Sequence, residues 1–278
     1  MDFSIITPSF RNSAWLKLCI ASVADQSGVS REHIVQDAGS DDGTLDWLTN
    51  DPRVRAFVEE DHGMYDAINR GLRRARGNLL AYLNCDEQYL PGALAAVHDF
   101  FVAHPDIDVV FGDVVVTDDQ GQFVAYRKVV LPSRPHVSVC QLPVFTCAMF
   151  FRRRLLDNTR IEFNPRLRDL GDTDFVLHLF SHSVRMAVLR QYTSAFARTG
   201  QNMNFLPNAL REKKLLRASA PLWMRALRPL WLAQHRLAKW RAGCYQQPPF
   251  DYSIYTRDCP KQRTTFPVPQ PSWRLQTG

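Results

Sequence analysis

The stretch from Asp61 to Pro91, DHGMYDAINRGLRRARGNLLAYLNCDEQYLP, decides how this chain folds. Its first part has the spacing of a helix over Tyr65–Arg74, and Leu79–Leu83 is an uninterrupted apolar run. Such a run is typical of a strand that is covered on both faces. The polar segment Asn84–Glu87 follows it directly. The stretch therefore predicts a helix, a buried strand and an acidic turn at the carboxyl end of that strand.

Strand and helix patterns alternate outward from this stretch. Strands are predicted at 4–7, 33–36, 54–58, 79–83 and 108–116, and helices at 13–26, 42–49, 65–74 and 92–103. Further along, strands are predicted at 122–130, 145–151 and 184–189, with a helix at 172–180. The alternation indicates an α/β fold with a mostly parallel central sheet flanked by helices. Ligands bind outside the carboxyl ends of the strands in such sheets, so the strand ends hold the candidate site residues.

The composition of the 278 residues fits a packed globular protein, since 45% of them are hydrophobic. No apolar run approaches the roughly 18–20 residues that span a bilayer. The segment Met1–Phe10 lacks the basic start of a signal peptide and is interpreted as a first core strand. The six cysteines form no CxxC pair, which favours reduced thiols in a cytoplasmic protein and argues against a structural zinc site.

The basic charge is concentrated near the C-terminus. Nine Lys and Arg stand against one acidic residue between Asn208 and Ala242, whereas acids outnumber bases before Asn208. This distribution argues against a nucleic-acid-coating surface. Because Leu and Trp are interleaved with the basic residues, the segment is predicted to be a set of amphipathic helices, broken at Pro221 and Pro229. Such helices suit an anionic membrane surface, or they pack on the α/β domain.

The chain is accordingly divided into three parts. Residues 1–205 form the α/β domain, residues 206–245 a basic amphipathic helical extension, and residues 246–278 a Pro-rich irregular tail.

Polar residues mark three strand ends. Thr7–Arg11 ends the first strand and offers hydroxyls and backbone amides to a ligand. At the end of the second strand, Asp37 is well placed for a ligand, while the polar run Ser40–Asp42 suits helix capping. Asn84–Glu87 supplies hard oxygen atoms, which Mg²⁺ and Mn²⁺ prefer, at the end of the fourth strand. A divalent ion held there would in turn hold a diphosphate.

Taken together, these motifs resemble the inverting family 2 glycosyltransferases, which have the nucleotide-sugar-binding GT-A fold. The resemblance covers roughly residues 2–204. It is carried by four segments in the right order and spacing: Ile5–Phe10, Asp37–Thr44, Gly63–Gly71 and Leu83–Glu87.

The resemblance implies roles for individual residues. The nucleotide pocket would be lined by Thr7, Pro8 and Ser9, and Asp37 would contact the base, uracil being the expected one. Asp61 and the segment 65–69, with Asp66 and Asn69, would border the nucleotide and the donor sugar. Arg198–Asn202 resembles a loop that closes over the donor, with Arg198 either on the diphosphate or at the surface.

The family's DxD metal motif falls on Asn84, Cys85 and Asp86. Because the first acid is replaced by Asn84, the sequence departs from the strict pattern, and metal affinity is left open. Asp86 would be the main ligand of Mg²⁺ or Mn²⁺, with Asn84 or Glu87 helping; Glu87 is alternatively a solvated turn residue.

Inversion also needs a base that takes a proton from the acceptor hydroxyl. In the family this carboxylate precedes a helix in the second half of the domain, which points to Asp172 here, with Asp174 as the second candidate. Either Asp172 or the adjacent Thr173 could instead simply cap the helix.

The function implied is metal-assisted transfer of one sugar from a nucleotide-diphosphate donor, expected to be a UDP-sugar, to a hydroxyl of a lipid-linked oligosaccharide or polysaccharide. The enzyme would work in the cytoplasm, at the inner face of the plasma membrane. Two other classes remain open: a non-catalytic sugar-nucleotide-binding scaffold, and a nucleotidyltransferase, although Thr7–Asn12 is not the Gly-rich basic loop of the latter.

Overall fold

Alternating strands and helices build the first part of the chain, as the sequence predicts. The computed structural model describes residues 1–199 and 207–275. The elements up to residue 118 are β1 (Phe3–Ser9), α1 (Ser13–Ala24), β2 (Arg31–Asp37), α2 (Leu45–Leu48), β3 (Arg55–Val58), α3 (Met64–Arg74), β4 (Leu79–Tyr82), β5 (Glu87–Tyr89), α4 (Ala93–Ala103) and β6 (Val109–Asp118).

The rest of the chain completes the sheet and then adds helices and a hairpin. Its elements are β7 (Phe123–Arg127), α5 (Arg134–Val139), a 3-10 turn (Thr146–Ala148), β8 (Met149–Arg152), α6 (Arg153–Thr159), α7 (Gly171–Leu179), β9 (Met186–Arg198), α8 (Pro207–Ser219), α9 (Leu222–Ala226), α10 (Arg228–Arg241), β10 (Phe250–Ile254) and β11 (Thr264–Val268).

Nine strands form one central sheet, in which eight follow the order β3-β2-β1-β4-β8-β6-β9-β5 and β7 pairs with β6. The half made of β3, β2, β1 and β4 is entirely parallel. Strand β8 joins it antiparallel to β4, and β6 pairs in parallel with β9. The predicted α/β class with a central, largely parallel sheet flanked by helices is confirmed. Because β1 lies between β2 and β4, the chain order reverses there, and such a reversal opens a crevice at the carboxyl ends of the strands.

Apolar side chains pack on both faces of the sheet. On one face, Ile6 and Ile34 meet α3 and α7, and on the other, Phe3 and Ile5 meet α1 and α4. Helix α3 lies so close to β1 that a Cβ at Gly71 would stand 2.5 Å from a methyl group of Ile6. The glycine therefore permits the close approach of the C-terminal half of α3 to β1.

The C-terminal part differs from the expected pattern in one respect. Three helices, α8–α10, occupy the predicted extension, with Pro221 as the N-cap of α9 and Pro229 in the first turn of α10. The tail, however, contains the β10–β11 hairpin where an irregular segment was expected. The proposed boundary at 205/206 and residues 200–202 of the predicted closing loop lie outside the described residues. Within the helices that the structure describes, none is long and apolar enough to cross a membrane.

Candidate functional site

The carboxyl ends of β1, β2 and β4 meet at one edge of the sheet. Ser9 is the register partner of Asp37, and Ile6 is the partner of Tyr82, so the segment that starts at Asn84 follows directly beyond the same edge. Most of the residues expected to bind a nucleotide lie here. Their side chains, however, point in different directions.

At the end of β1, the side chains divide between the core and the edge. Thr7 is fully buried, and its hydroxyl lies 2.8 Å from Nε2 of His33, so it braces β1 against β2. The backbone oxygen of Pro8 accepts a hydrogen bond from the thiol of Cys85 at 3.3 Å. The hydroxyl of Ser9 is buried without a hydrogen-bond partner among the residues described. Of the residues predicted here, Ser9 is the one with a free polar atom for a ligand.

Asp37 organises its own loop. Its Oδ1 accepts hydrogen bonds from the backbone N–H of Gly39 at 3.0 Å and of Ser40 at 2.7 Å, and its Oδ2 accepts from the Ser40 hydroxyl at 2.8 Å. The side chain is fully buried. The sequence assigned capping to Ser40–Asp42 and ligand contact to Asp37, whereas in the structure Asp37 itself holds the turn. Contact of Asp37 with a base stays a prediction, and these bonds do not favour it.

The N-terminus of α3 brings further carboxylates to the edge. Oδ1 of Asp61 accepts the N–H of Gly63 at 2.8 Å, and burial, with smaller contributions from Asp66 and Asp37, raises the pKa of Asp61. Asp66 pairs with Arg70 at 2.9 Å. Asn69 faces inward instead: its amide donates to the carbonyl of Phe163 at 2.7 Å and accepts from the N–H of Phe163 at 2.9 Å. Its geometry is that of a structural link rather than of a donor contact.

The segment after β4 holds the acids expected to bind a metal. The carboxyl of Glu87 is almost completely buried and accepts the backbone N–H of Asn84 at 2.7 Å. Burial, reinforced by the neighbouring Asp86 carboxylate, raises the pKa of Glu87 to about 8. The solvated-turn alternative for Glu87 is therefore wrong, since this residue is enclosed. Its helping role in metal binding stays a prediction, and its buried position does not favour it.

Asp86 and Asn84 carry the oxygen atoms that are candidate ligands for a divalent cation. Burial raises the pKa of Asp86, and Oδ1 of Asn84 is buried with no hydrogen-bond partner in the described ranges. A cation bound to either oxygen would remove the penalty for its burial. Across residues 1–199 and 207–275, no group of three or more His, Cys, Asp and Glu side chains could hold a metal. The remaining ligands would have to be water and phosphate oxygens, as is usual for Mg²⁺.

Asp172 lies in the first turn of helix α7, in a largely enclosed position. Its Oδ1 accepts the N–H of the adjacent Thr173 at 2.6 Å, and burial raises its pKa to about 6. The alternative that Asp172 or Thr173 caps the helix is wrong, because Leu170 is the N-cap and no side chain makes a capping hydrogen bond. Asp174 lies two residues further along the same helix, and its Oδ2 is 3.4 Å from Nδ1 of His178. Burial also raises the pKa of Asp174, against the opposing charge of His178. A carboxylate with a pKa near 6 is ionised at neutral pH and still basic enough to accept a proton.

Two tyrosines connect Asp172 with the segment Asn84–Glu87. A Cβ at Gly171 would lie 2.6 Å from the ring of Tyr65, so the first turn of α7 rests on α3. Tyr82, which precedes this segment, has its pKa raised well above the usual value by burial, with Tyr65, Asp172 and Glu87 adding to the effect. The residues predicted from distant segments thus gather around one edge of the sheet.

Glu212 is a site residue that the sequence did not reveal. It projects from α8 and accepts the backbone N–H groups of Arg168, Asp169 and Leu170 at 2.9–3.0 Å. These three residues precede α7, so Glu212 fixes the loop that carries Asp172. The available signal was that Glu212 is the single acid in an otherwise basic segment.

The C-terminal hairpin also reaches the site. The narrow cleft beside Asp86 is lined on its far wall by Tyr255 and Arg257. Gln88 exchanges two hydrogen bonds of 2.8 Å with the backbone of Tyr255, which ties the hairpin to β5. An arginine guanidinium is suited to pairing with a diphosphate, although Arg257 pairs with Asp119 at 2.8 Å in this structure.

Comparison with known proteins gives a consistent result. A profile described as Glycosyl transferase family 2 matches residues 4–161. The chain is 32% identical over 226 residues to a PGL/p-HBAD biosynthesis glycosyltransferase of Mycobacterium bovis BCG, covering 77% of this chain and 82% of the relative. It is 34% identical over 104 residues to the putative teichuronic acid biosynthesis glycosyltransferase TuaG of Bacillus subtilis, covering 36% and 41% of the two chains.

Solved structures share the fold. S. aureus TarS 1–349 in complex with UDP-GlcNAc superposes with a TM-score of 0.60 at 19% identity, over 87% of this chain and 73% of TarS 1–349. The match to the longer TarS chain covers 44% of it. The mannosyltransferase PcManGT from Pyrobaculum calidifontis, in complex with GDP-Man and Mn²⁺, gives 0.55 at 18% identity, over 88% and 76%. The expected GT-A fold is therefore confirmed.

Proposed function

Because this chain belongs to glycosyl transferase family 2, we propose that it moves one sugar from a nucleotide-diphosphate donor, a UDP-sugar, to a hydroxyl of a lipid-linked or oligosaccharide acceptor, with inversion. That it is a glycosyltransferase using a nucleotide-sugar in cell-surface glycoconjugate synthesis rests on the family and its relatives. The scaffold and nucleotidyltransferase alternatives receive no support, because the matched family and the named relatives are glycosyltransferases.

The observation that carries the proposal is the enclosed carboxylate of Asp172 beside the segment of Asp86. Asp172 would take the proton of the acceptor hydroxyl as the acceptor oxygen attacks the anomeric carbon. The bond from that carbon to the diphosphate breaks on the opposite side, which inverts the configuration. The structural support for this role is that Asp172 keeps a raised pKa while its Oδ1 is engaged by Thr173.

Asp86 and Asn84 would hold a Mg²⁺ or Mn²⁺ ion, which would neutralise the negative charge on the departing diphosphate. The raised pKa of Asp86 and the unpaired oxygen of Asn84 support this pairing. Ser9 offers its unpartnered hydroxyl to the donor from the end of β1. A uracil-containing donor is favoured by the TarS likeness, whereas PcManGT was solved with GDP-Man.

We further propose that the enzyme lies in the cytoplasm and binds the inner face of the plasma membrane through α8–α10, which form the helical extension. This surface exposes Leu222, Trp223 and Trp240 next to a high density of basic residues. Apolar and basic side chains in this arrangement suit an anionic bilayer surface. A membrane position would bring the enzyme to a lipid-linked acceptor.

The test is donor turnover with a panel of nucleotide-sugars, with and without Mn²⁺. We expect one donor to raise the melting temperature and to release its nucleoside diphosphate slowly in a metal-dependent way. Asp86→Ala should abolish that release, and Glu162→Ala, at an exposed acid, is the matched control. Metal-independent release, or no binding of any donor in the presence of Mn²⁺, would count against the proposal.

A further inference from the structure

A pocket of about 400 Å³ opens between helix α8 and the helices α9 and α10. Its wall carries five basic side chains: Lys213, Lys214, Arg217, Arg225 and Arg228. Val139, Leu210 and Ala218 supply the apolar part of the same wall. No acidic side chain is among its lining residues. The pocket therefore combines strong positive charge with an apolar floor.

Three of the five cations around this pocket have no acidic partner among the described residues. In the described part of the chain, Lys214, Arg225 and Arg228 take part in no salt bridge. The one acid of the extension, Glu212, turns away and is occupied by the loop before α7. Several like charges held around one cavity repel each other, and an anion bound between them would relieve that repulsion.

The surroundings of the pocket indicate which anion fits. Leu210, Leu222 and Trp223 are 60%, 75% and 53% exposed. A free inorganic phosphate would gain nothing from such apolar side chains. A phosphate that carries acyl chains would, because Leu and Trp bury into the boundary between head groups and acyl chains.

We propose that this pocket binds the phosphate head group of an anionic membrane lipid. The inference deepens the proposed membrane association and rests on it, since it identifies where one lipid is held. Phosphate oxygens would accept charge-assisted hydrogen bonds from the lysines and arginines, while the acyl chains extend past Leu222 and Trp223.

A lipid in this pocket would lie on the helix that also controls the candidate base. Glu212, on α8 between the pocket and the domain, holds the loop before Asp172, and the Lys213 ammonium lowers the pKa of Asp172 against the effect of burial.

The test compares two double variants that remove the same charge. Lys214→Gln/Arg225→Gln empties the pocket of two exposed cations, and Arg236→Gln/Arg241→Gln removes two exposed cations outside it. Binding is measured by sedimentation with phosphatidylcholine vesicles, with and without equimolar phosphatidylglycerol, and by calorimetry with soluble dihexanoyl phosphatidylglycerol and with inorganic phosphate. Circular dichroism checks that both variants fold.

We expect the pocket variant to lose about tenfold or more in affinity for phosphatidylglycerol vesicles and all detectable binding of the soluble lipid. The control variant should keep its binding of the soluble lipid. Equal losses in both variants would show diffuse attraction and overturn the pocket, as would equal affinity for inorganic phosphate and the soluble lipid. Metal-dependent donor release, measured without vesicles, should be unchanged in both variants, so its absence would contradict the glycosyltransferase proposal and not the lipid site.

Discussion

Replacement of Asp172 by Asn should abolish turnover and at the same time stabilise the fold. Asn keeps the side-chain oxygen that accepts the N–H of Thr173, so this hydrogen bond in the first turn of α7 survives, but Asn cannot take up a proton. If Asp172 is the base, the rate of transfer should fall by about 10²–10⁴-fold. If Asp172 has only a structural role in the first turn, the rate should hardly change.

The stability change follows from the raised pKa. Folding shifts the pKa of Asp172 from 3.8 to about 6, so the protonated form is favoured in the folded state. The contribution of this preference to the free energy of unfolding is fully present below pH 3.8 and is lost as the pH rises through 6. The difference between these two pKa values corresponds to about 3 kcal/mol at pH 8, a net figure that already includes the favourable interactions of the carboxylate. The Asn variant should therefore be about 3 kcal/mol more stable at pH 8 and no more stable at pH 4.

The assay pairs initial rates of sugar transfer with urea unfolding of both proteins at pH 8 and pH 4. Asp174→Asn tests the second candidate base on the same helix, and Glu162→Gln, at an exposed acid, is the control. A turnover rate within tenfold of the wild type would refute Asp172 as the base. A stability gain that is the same at pH 4 and pH 8 would refute the argument from burial.

Three other outcomes follow from the site. The rate of transfer should rise with pH around a midpoint of about 6 and be lost as the pH falls, because the base must be deprotonated; a flat profile between pH 5 and 8 would contradict this. Glu212→Gln should lower the free energy of unfolding by about 2–4 kcal/mol, because its new NH₂ group faces backbone N–H donors. The maximal rate should fall more than donor affinity. Glu162→Gln is the control, and an unchanged rate would show that the loop before α7 needs no such support. Asn84→Asp should tighten Mn²⁺ binding, measured as a larger rise of the melting temperature on titration with Mn²⁺. Without metal it should lower the stability, because it adds a third acid to Asp86 and Glu87. An unchanged rise of the melting temperature would place the metal elsewhere.

The strands and helices of the first half could be predicted because local patterns determine them. Leu79–Tyr82 is apolar throughout and became the fully buried strand β4, and the glycine at 71 lies where α3 meets β1. The gathering of strand ends could also be predicted, since parallel strands end at one edge. The direction of each side chain could not, because Thr7 and Asn69 are held by His33 and Phe163, which are distant in sequence.

The contributions of the C-terminal part had no local signature. Glu212 meets a loop 42–44 residues earlier, and Gln88 meets Tyr255 across 167 residues. A hairpin within a Pro-rich segment is stabilised by such contacts more than by its own composition. Proline-rich composition therefore suggested an irregular tail, and tertiary packing decided otherwise.

The hairpin's attachment to β5 has a consequence for biosynthesis. During translation, N-terminal domains generally fold first, yet here Glu212 and the wall opposite Asp86 leave the ribosome after every strand of the central sheet. A nascent chain that has completed β1–β9 still lacks the support for the Asp172 loop and one side of the cleft. The site is therefore complete only after the β10–β11 hairpin has been made, and messages truncated after residue 199 should yield a sheet without activity.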